Sequence, residues 1–236
     1  MQKYLFIYND MKNRILNGEF AANEKLPFEK DLCLYYKTSK MTIKKSFDLL
    51  VEDGLIIKKR GVGTFIKDIN SKEMEKLIVT SQFQGLTSTN PEKKITSKVL
   101  HFRIVPASSD VERRLNLDPD TFVYDINRVR YTNGQPTVIE QTYMPIDLIT
   151  GLNKHHIKNS LYQYIEEELN YKIQSAHRKI SVRKATDVEI KHLELEAGDP
   201  VAVAEQVAYF DNGRAFEYSF SIHRYDFYSV QFIVTK

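Results

Sequence analysis

The chain predicts an α+β protein in two parts, and three observations carry that reading. Residues 1–70 show helical spacing of apolar residues three times and then close on a glycine-rich hairpin. From Ile95 onward apolar and polar residues alternate in long runs, broken by turns that hold Asn133-Gly134 and Asn212-Gly213. A polar, charged stretch separates the two patterns. The domains therefore read as 1–68, a linker at 69–80, and 81–236.

In the first part, Leu5, Tyr8, Met11, Ile15 and Leu16 share one face of a helix that Gly18 stops. Pro27 precedes a second helix over Phe28 to Tyr36. Thr38-Ser39 offers an N-cap for a third helix from Lys40 to Glu52. Ile43, Phe47 and Leu50 are its core stripe, and Lys40 and Lys44, four apart, share another face. Gly54 ends this helix as a C′ glycine does. Two short strands follow, at Leu55-Ile56-Ile57 and Thr64-Phe65-Ile66. Arg60-Gly61-Val62-Gly63 is the turn between them. This order of elements, two short helices, a tight turn, a recognition helix and a glycine-rich β-wing, resembles a winged helix-turn-helix. Cys33, between Leu32 and Leu34, reads as a small core residue.

The second part reads as a strand over Ile95–Val105, a short helix over Ser108–Asn116, and a hairpin of Thr121–Tyr131 with Gln135–Met144. A helix over Ser160–Leu169, a strand over Ile173–Arg183 and a helix over Asp187–Leu195 come next. A second hairpin joins Val201–Phe210 to Arg214–His223, and a last strand is expected over Val230–Val234. Both hairpins read as three-residue loops, Thr132-Asn133-Gly134 and Asp211-Asn212-Gly213, with glycine left-handed.

Composition narrows the function classes. Of 34 Lys+Arg and 31 Asp+Glu, residues 1–70 hold 13 and 9, a net of +4, and the rest hold 21 and 22, a net of −1. The positive excess sits where phosphate contact would need it. The single cysteine excludes an internal disulfide and suits a reducing compartment. The first residues lack a signal peptide's apolar run, and no stretch is long and apolar enough to span a bilayer. A soluble, cytoplasmic protein is expected. His155-His156 lies in a polar segment without ligand spacing, so no metal is expected. No phosphate-binding glycine motif or nucleophile–base set is present, so no cofactor and no catalytic residue are assigned.

Within the helix-turn-helix, Thr38 and Ser39 can offer hydroxyls and amides to phosphate. Lys30 and Lys44 would neutralise phosphates. Lys40, Met41 and Thr42 are placed to reach base edges in a major groove. The run Leu26-Pro27-Phe28-Glu29, Thr38 to Lys45, Asp53-Gly54-Leu55-Ile56 and Arg60 to Ile66 resembles the DNA-binding domain of the GntR family of bacterial regulators. The resemblance implies that Glu29 belongs to the same DNA-facing set and that the Arg60-Gly61 wing tip enters the minor groove. The family usually has a small residue where Phe28 stands, and arginine where Lys40 and Lys44 stand.

Arg128 and Arg130 lie two apart on a strand and point to one face, where they repel unless an anion or acid joins them. With a three-residue loop, Tyr131 faces Gln135 and Glu140 faces Ile126, on the arginine side; a two-residue loop would send Glu140 to the other face. Ser160 begins a helix, so its hydroxyl suits an anion. Tyr124 to Tyr131, Ser160-Leu161-Tyr162, Leu193 to Pro200 and Phe216 to Ser219 are similar to the UTRA effector-binding module of one GntR subfamily, which is chorismate-lyase-like in fold. That resemblance implies an effector pocket of Arg128, Arg130, Glu140, Ser160 and Tyr218, with Thr87, Ser88 and Thr89 from a covering loop.

Together the resemblances imply a homodimeric transcriptional regulator, usually a repressor, that binds a palindromic operator in double-stranded DNA. A small anionic effector such as a phosphorylated sugar would release it. Two alternatives stay open: a DNA-binding protein whose second domain only dimerises, and a chorismate-lyase-like enzyme.

Overall fold

The computed structural model describes residues 2–68 and 92–230. The expected linker at 69–80, the covering loop with Thr87, Ser88 and Thr89, and the last strand beyond Val230 lie outside the described residues. The described residues fall into two compact units.

The first unit holds α1 (Lys3–Leu16), α2 (Glu29–Tyr35), α3 (Lys40–Glu52) and the hairpin of β1 (Ile56–Lys59) and β2 (Gly63–Ile66). Ser39 caps α3, its hydroxyl accepting from the Thr42 amide at 3.3 Å. Ile43, Phe47 and Leu50 of α3 are fully buried, as their spacing predicts, against Ile7, Met11 and Ile15 of α1. On α1, Met11 and Ile15 of the expected face are buried and Tyr8 and Leu16 pack against the core, while Ile7 takes the place expected of Leu5. Ile7 is buried, whereas Leu5 and Tyr8 are half-exposed. Tyr8 sits at the core's rim because its hydroxyl needs a partner there, and Asp53 provides it. Cys33 packs at the edge of this core. Lys59 pairs with Gly63, so the wing loop is Arg60-Gly61-Val62 and Gly63 belongs to β2.

The second unit is a six-stranded antiparallel sheet of β3 (Ile95–Pro106), β4 (Phe122–Thr132), β5 (Gln135–Pro145), β6 (Ile173–Lys184), β7 (Pro200–Phe210) and β8 (Ala215–Arg224). Their order across the sheet is β3-β4-β5-β8-β7-β6. One face carries α4 (Ser109–Leu115) and α7 (Asp187–Leu193), which pack Val111, Leu115 and Leu193 onto Val123, Val129 and Val207. The opposite face is covered at one end by α5 (Lys154–Lys158), α6 (Leu161–Gln163) and a π-helical turn (Tyr164–Glu168) over Ile126, Met144, Ala208 and Phe216.

Two local expectations are corrected. The helix expected over Ser160–Leu169 breaks after Gln163 into the π-turn, which lets the adjacent Tyr164 and Ile165 both face the core. The segment expected as a polar loop at His155-His156 is α5, closed by a capping box from Asn153. His156 is largely buried there, its ring stacked 3.8 Å from that of Tyr164.

The first hairpin also departs from expectation. Thr132 pairs with Gln135, so the loop is the two-residue Asn133-Gly134, both with positive φ, as a type I′ turn requires. A two-residue loop alone would have turned Glu140 to the wrong face. A β-bulge restores it: Tyr131 pairs with Pro136 but Arg130 with Val138, which leaves Thr137 as the extra residue. The Thr137 hydroxyl donates to the Arg130 carbonyl at 3.3 Å and holds the bulge. Glu140 thus faces Arg128 and not Ile126. The second hairpin keeps its three-residue loop, with Phe210 donating to the Arg214 carbonyl at 3.0 Å. At Gly134 φ is +85° and a Cβ would meet nothing within 4 Å. Gly134→Ala is therefore expected to cost about 1 kcal/mol, purely as backbone strain. A urea titration of the two proteins checks this, and an unchanged midpoint would contradict the turn assignment.

Candidate DNA interface and effector pocket

The first unit brings Glu29 and Lys40 together and leaves most of the expected DNA-facing residues exposed. Lys40 is 80% exposed in its side chain and lies 3.6 Å from Glu29, which joins the first turns of α2 and α3. Met41, next to it in sequence, is 74% exposed. Ser39 and Thr42 share a hydrogen bond of 2.9 Å between their hydroxyls, so both are partly spent on the cap. Thr38 is half-buried, and Lys30 and Lys44 are exposed. Arg60 and Gly61 stand exposed at the wing tip, where φ of +74° at Gly61 favours glycine. Lys25 and Lys59, outside the expected set, hold their ammonium groups over the rings of Phe28 and Phe65.

In the second unit Arg128 and Arg130 are buried side by side, only 5% and 2% exposed. Arg128 donates from Nε to Glu140 at 2.6 Å and from Nη1 to the carbonyls of Ile157 at 2.7 Å and Asn159 at 3.0 Å. Arg130 donates to the Asn159 carbonyl at 2.9 Å. The negative end of α5 therefore takes up part of the repulsion that the sequence assigned to an acid or anion. Burial alone would raise the Glu140 carboxyl, but the charges of Arg128 and Arg130 and the bond from Arg128 hold it below the usual range. Burial pulls Arg130 down to about 10, against the pull of Glu140 and with the push of Arg128. A cavity of about 320 Å³ opens beside Arg130 and Ser160, lined also by Asn159, Gln163 and Tyr164. That volume is at the small end for a ligand site. The Ser160 hydroxyl accepts from the Gln163 amide at 3.2 Å, as a cap.

Tyr218 does not join this set. Tyr143 pairs with Tyr218 and Thr142 with Ser219, so Tyr218 points to the opposite face, the one that carries α4. There its hydroxyl donates to Glu205 at 3.1 Å and Asp110 at 3.2 Å. Its neighbours on the strand, Glu217 and Ser219, are the ones on the arginine side. The Ser219 hydroxyl, the Tyr162 hydroxyl and the Gln206 amide converge on one Glu217 oxygen at 2.6, 3.2 and 3.2 Å. Farther along, His223 carries Tyr228 stacked at 4.0 Å. Burial pushes His223 down to about 4, against the charge of Glu140, so it is neutral at physiological pH. Period-two alternation from Ser219 could have found Glu217, but only the β5–β8 register says which side faces the arginines.

Burial raises the Glu217 carboxyl, and the charge of Glu140 adds to this against the hydrogen bonds it accepts. A raised folded pKa means that the fold favours the proton. Stability is then fully present below the ordinary carboxylate pKa of about 4.3 and falls as pH rises through the folded value. Glu217→Gln should thus melt higher than the wild type at pH 7, with the gap closing toward pH 4. Equal melting temperatures across that range would show that the carboxylate is not penalised.

Among the described residues no His/Cys/Asp/Glu group could hold a metal ion, and no helix is long and apolar enough to cross a membrane. Models of known families match both parts: bacterial regulatory proteins of the gntR family over residues 3–66, and the UTRA domain over residues 92–229. The HTH-type transcriptional regulator GmuR of Bacillus subtilis is 39% identical over 236 residues, covering 100% of this chain and 98% of the relative. The mannosyl-D-glycerate transport/metabolism system repressor MngR of Escherichia coli is 27% identical, covering 99% and 96%. The crystal structure of the possible regulator YydK from Bacillus subtilis superposes with a TM-score of 0.73 at 29% identity, over 100% of both chains. These relatives favour neither the dimerisation-only reading nor the enzyme. The chain belongs to the gntR family of bacterial regulatory proteins, in the branch that carries a UTRA domain, and is a ligand-responsive DNA-binding transcriptional regulator.

Proposed function

We propose that the protein is a cytoplasmic homodimeric repressor, released from its operator by a small anionic sugar, a phosphorylated sugar first among them. The carrying observation is the buried Arg128–Arg130 pair, of which Arg130 lines an open cavity. Two guanidinium groups sit there against one ionised carboxylate, Glu140, which leaves a local positive charge for an anion to neutralise. Arg130 and Ser160 line the cavity, while Arg128 stands behind them, bonded to Glu140 and to the carbonyls of Ile157 and Asn159. The MngR relative supports the class, since mannosyl-D-glycerate is itself a sugar bearing a carboxylate. Lys40, Met41 and Thr42 read base edges, Glu29, Lys30, Thr38, Ser39 and Lys44 line the backbone, and the Arg60-Gly61 wing enters the minor groove.

The proposed switch is a population shift. The effector binds in the pocket together with Thr87, Ser88 and Thr89, and the change passed through the linker at 69–80 alters the spacing of the two DNA readers. To act, it must prefer the DNA-incompetent arrangement by a few kcal/mol. The test is a thermal-shift screen against hexose phosphates, sugar carboxylates and small dicarboxylates. Hits are then added to a complex of the protein with a duplex it has selected from a random library. A sugar phosphate that raises the melting temperature and frees the duplex supports the proposal. No shift with any anion, with the complex intact, would overturn it.

A further inference from the structure

Phe28 is the residue before α2, and it is 53% exposed with no side-chain cap on the helix. Ser, Thr, Asp and Asn stabilise that position, so the aromatic forgoes a cap. Its ring is occupied from both sides of the chain: Lys25 Nζ lies 4.5 Å and Lys30 Nζ 5.8 Å from the centroid. Lys25 Nζ is also 6.0 Å from the ring of Phe65 on β2, and Lys59 Nζ is 4.9 Å from that same ring. The backbone fixes this arrangement. Lys25 bridges to Phe65, and the Leu26 amide donates to the Thr64 carbonyl at 2.9 Å. Two aromatic rings and three lysines thus form one strip from α2 to the wing. The strip is continuous with the recognition helix, because Glu29, next to Phe28, reaches Lys40 at 3.6 Å.

The chemistry of the strip suits one partner. A ring face holds an ammonium group near it without cancelling its charge, unlike a carboxylate. Nearby acids are engaged elsewhere: Glu29 with Lys40, and Glu24 with the Ala21 amide at 2.6 Å. Among the described residues no ion pair takes up Lys25, Lys30 or Lys59. The ring edges supply apolar surface of the size of a deoxyribose, and the lysines supply charge for the flanking phosphates. We infer that Phe28 and Phe65, with Lys25, Lys30 and Lys59, form a second grip on duplex DNA that holds the sugar-phosphate backbone beside the groove read by α3. This rests on α3 being the base-reading element.

The test uses the full-length protein, a duplex it selects from a random library, and a mixed-sequence duplex of equal length. Phe28→Ala should weaken both duplexes by the same factor, about tenfold, with the melting temperature unchanged. Phe28→Trp should restore binding. Phe28→Ser should melt at or above the wild type, because it regains a cap, yet bind as weakly as alanine. Lys25→Ala should lower the slope of log affinity against log salt by about one. Lys40→Ala marks the α3 reading separately, since it should narrow the gap between the two duplexes. Phe28→Ala that binds like the wild type would overturn the inference. So would a loss of binding that follows a lowered melting temperature, which would make Phe28 structural.

Discussion

Arg128→Ala is expected to abolish the response to the effector while leaving operator binding in place. Arg128 is the centre of its site: it bonds Glu140, Ile157 and Asn159 and stands beside Arg130. Each charge-assisted hydrogen bond to a ligand oxygen is worth about 1.5–3 kcal/mol, so effector affinity should fall by about a hundredfold. The change also leaves Glu140 half-buried without its closest cation, which costs the second unit about 3 kcal/mol. Those two effects separate by experiment. Arg128→Lys keeps the charge beside Glu140 but loses the planar fork, so it should recover most of the stability and little of the response. Titration of the hit compound by calorimetry, with melting curves of both variants, reads the two quantities. Full effector affinity in Arg128→Ala would remove the arginine pair from the pocket.

Asp53→Ala should strongly destabilise the DNA-binding unit. Asp53 is the C-cap of α3 and accepts from Lys12 Nζ at 2.9 Å and from the Tyr8 hydroxyl. Lys12 also donates to the Tyr8 hydroxyl at 2.7 Å, and it is only 7% exposed. Burial and the hydrogen bond to Asp53 push the Tyr8 hydroxyl well above its ordinary range, so it stays neutral and donates. Removal of Asp53 strands a buried ammonium group and cuts a polar tie between α1 and the end of α3. The expected cost is about 3–5 kcal/mol, a large part of a small domain's stability. DNA binding should be lost with it. Lys12→Met in the Asp53→Ala background should recover stability, because the stranded charge is then gone. If the single variant melts with the wild type, the cluster is only a surface pair.

Local chemistry along the chain accounts for most of the architecture. Ser39 and Ser108 cap helices where capping residues stand, Ile43, Phe47 and Leu50 face the core at helical spacing, and glycine or asparagine closes each hairpin. Each of these depends on residues within about one helical turn or one hairpin of each other, so neighbours in sequence suffice. The pairing of Arg128 with Glu140 was legible as a shared face, although through a loop that the protein does not use. Thr137 bulges out and corrects a parity that the two-residue Asn133-Gly134 loop would have inverted. Nothing in the residues around Thr137 announces a bulge, because its energy is settled by which side chains the two faces of the sheet bury.

The same reason explains the pocket residue that sequence reasoning misplaced. Tyr218 and Glu217 are adjacent, and a strand sends them to opposite faces; only the pairing of β5 with β8 decides which faces the arginines. The partners of Arg128 and Arg130 on α5 are carbonyls some thirty residues away, and backbone acceptors leave no mark in the sequence. Likewise His156 is buried because Tyr164, on a π-turn that periodicity reads as plain helix, stacks on it. Elements and their caps are short-range choices of the backbone, and they follow from residue type. Register, facing and the electrostatics of a buried charge pair are set by contacts across the sheet, where each strand's position depends on all the others.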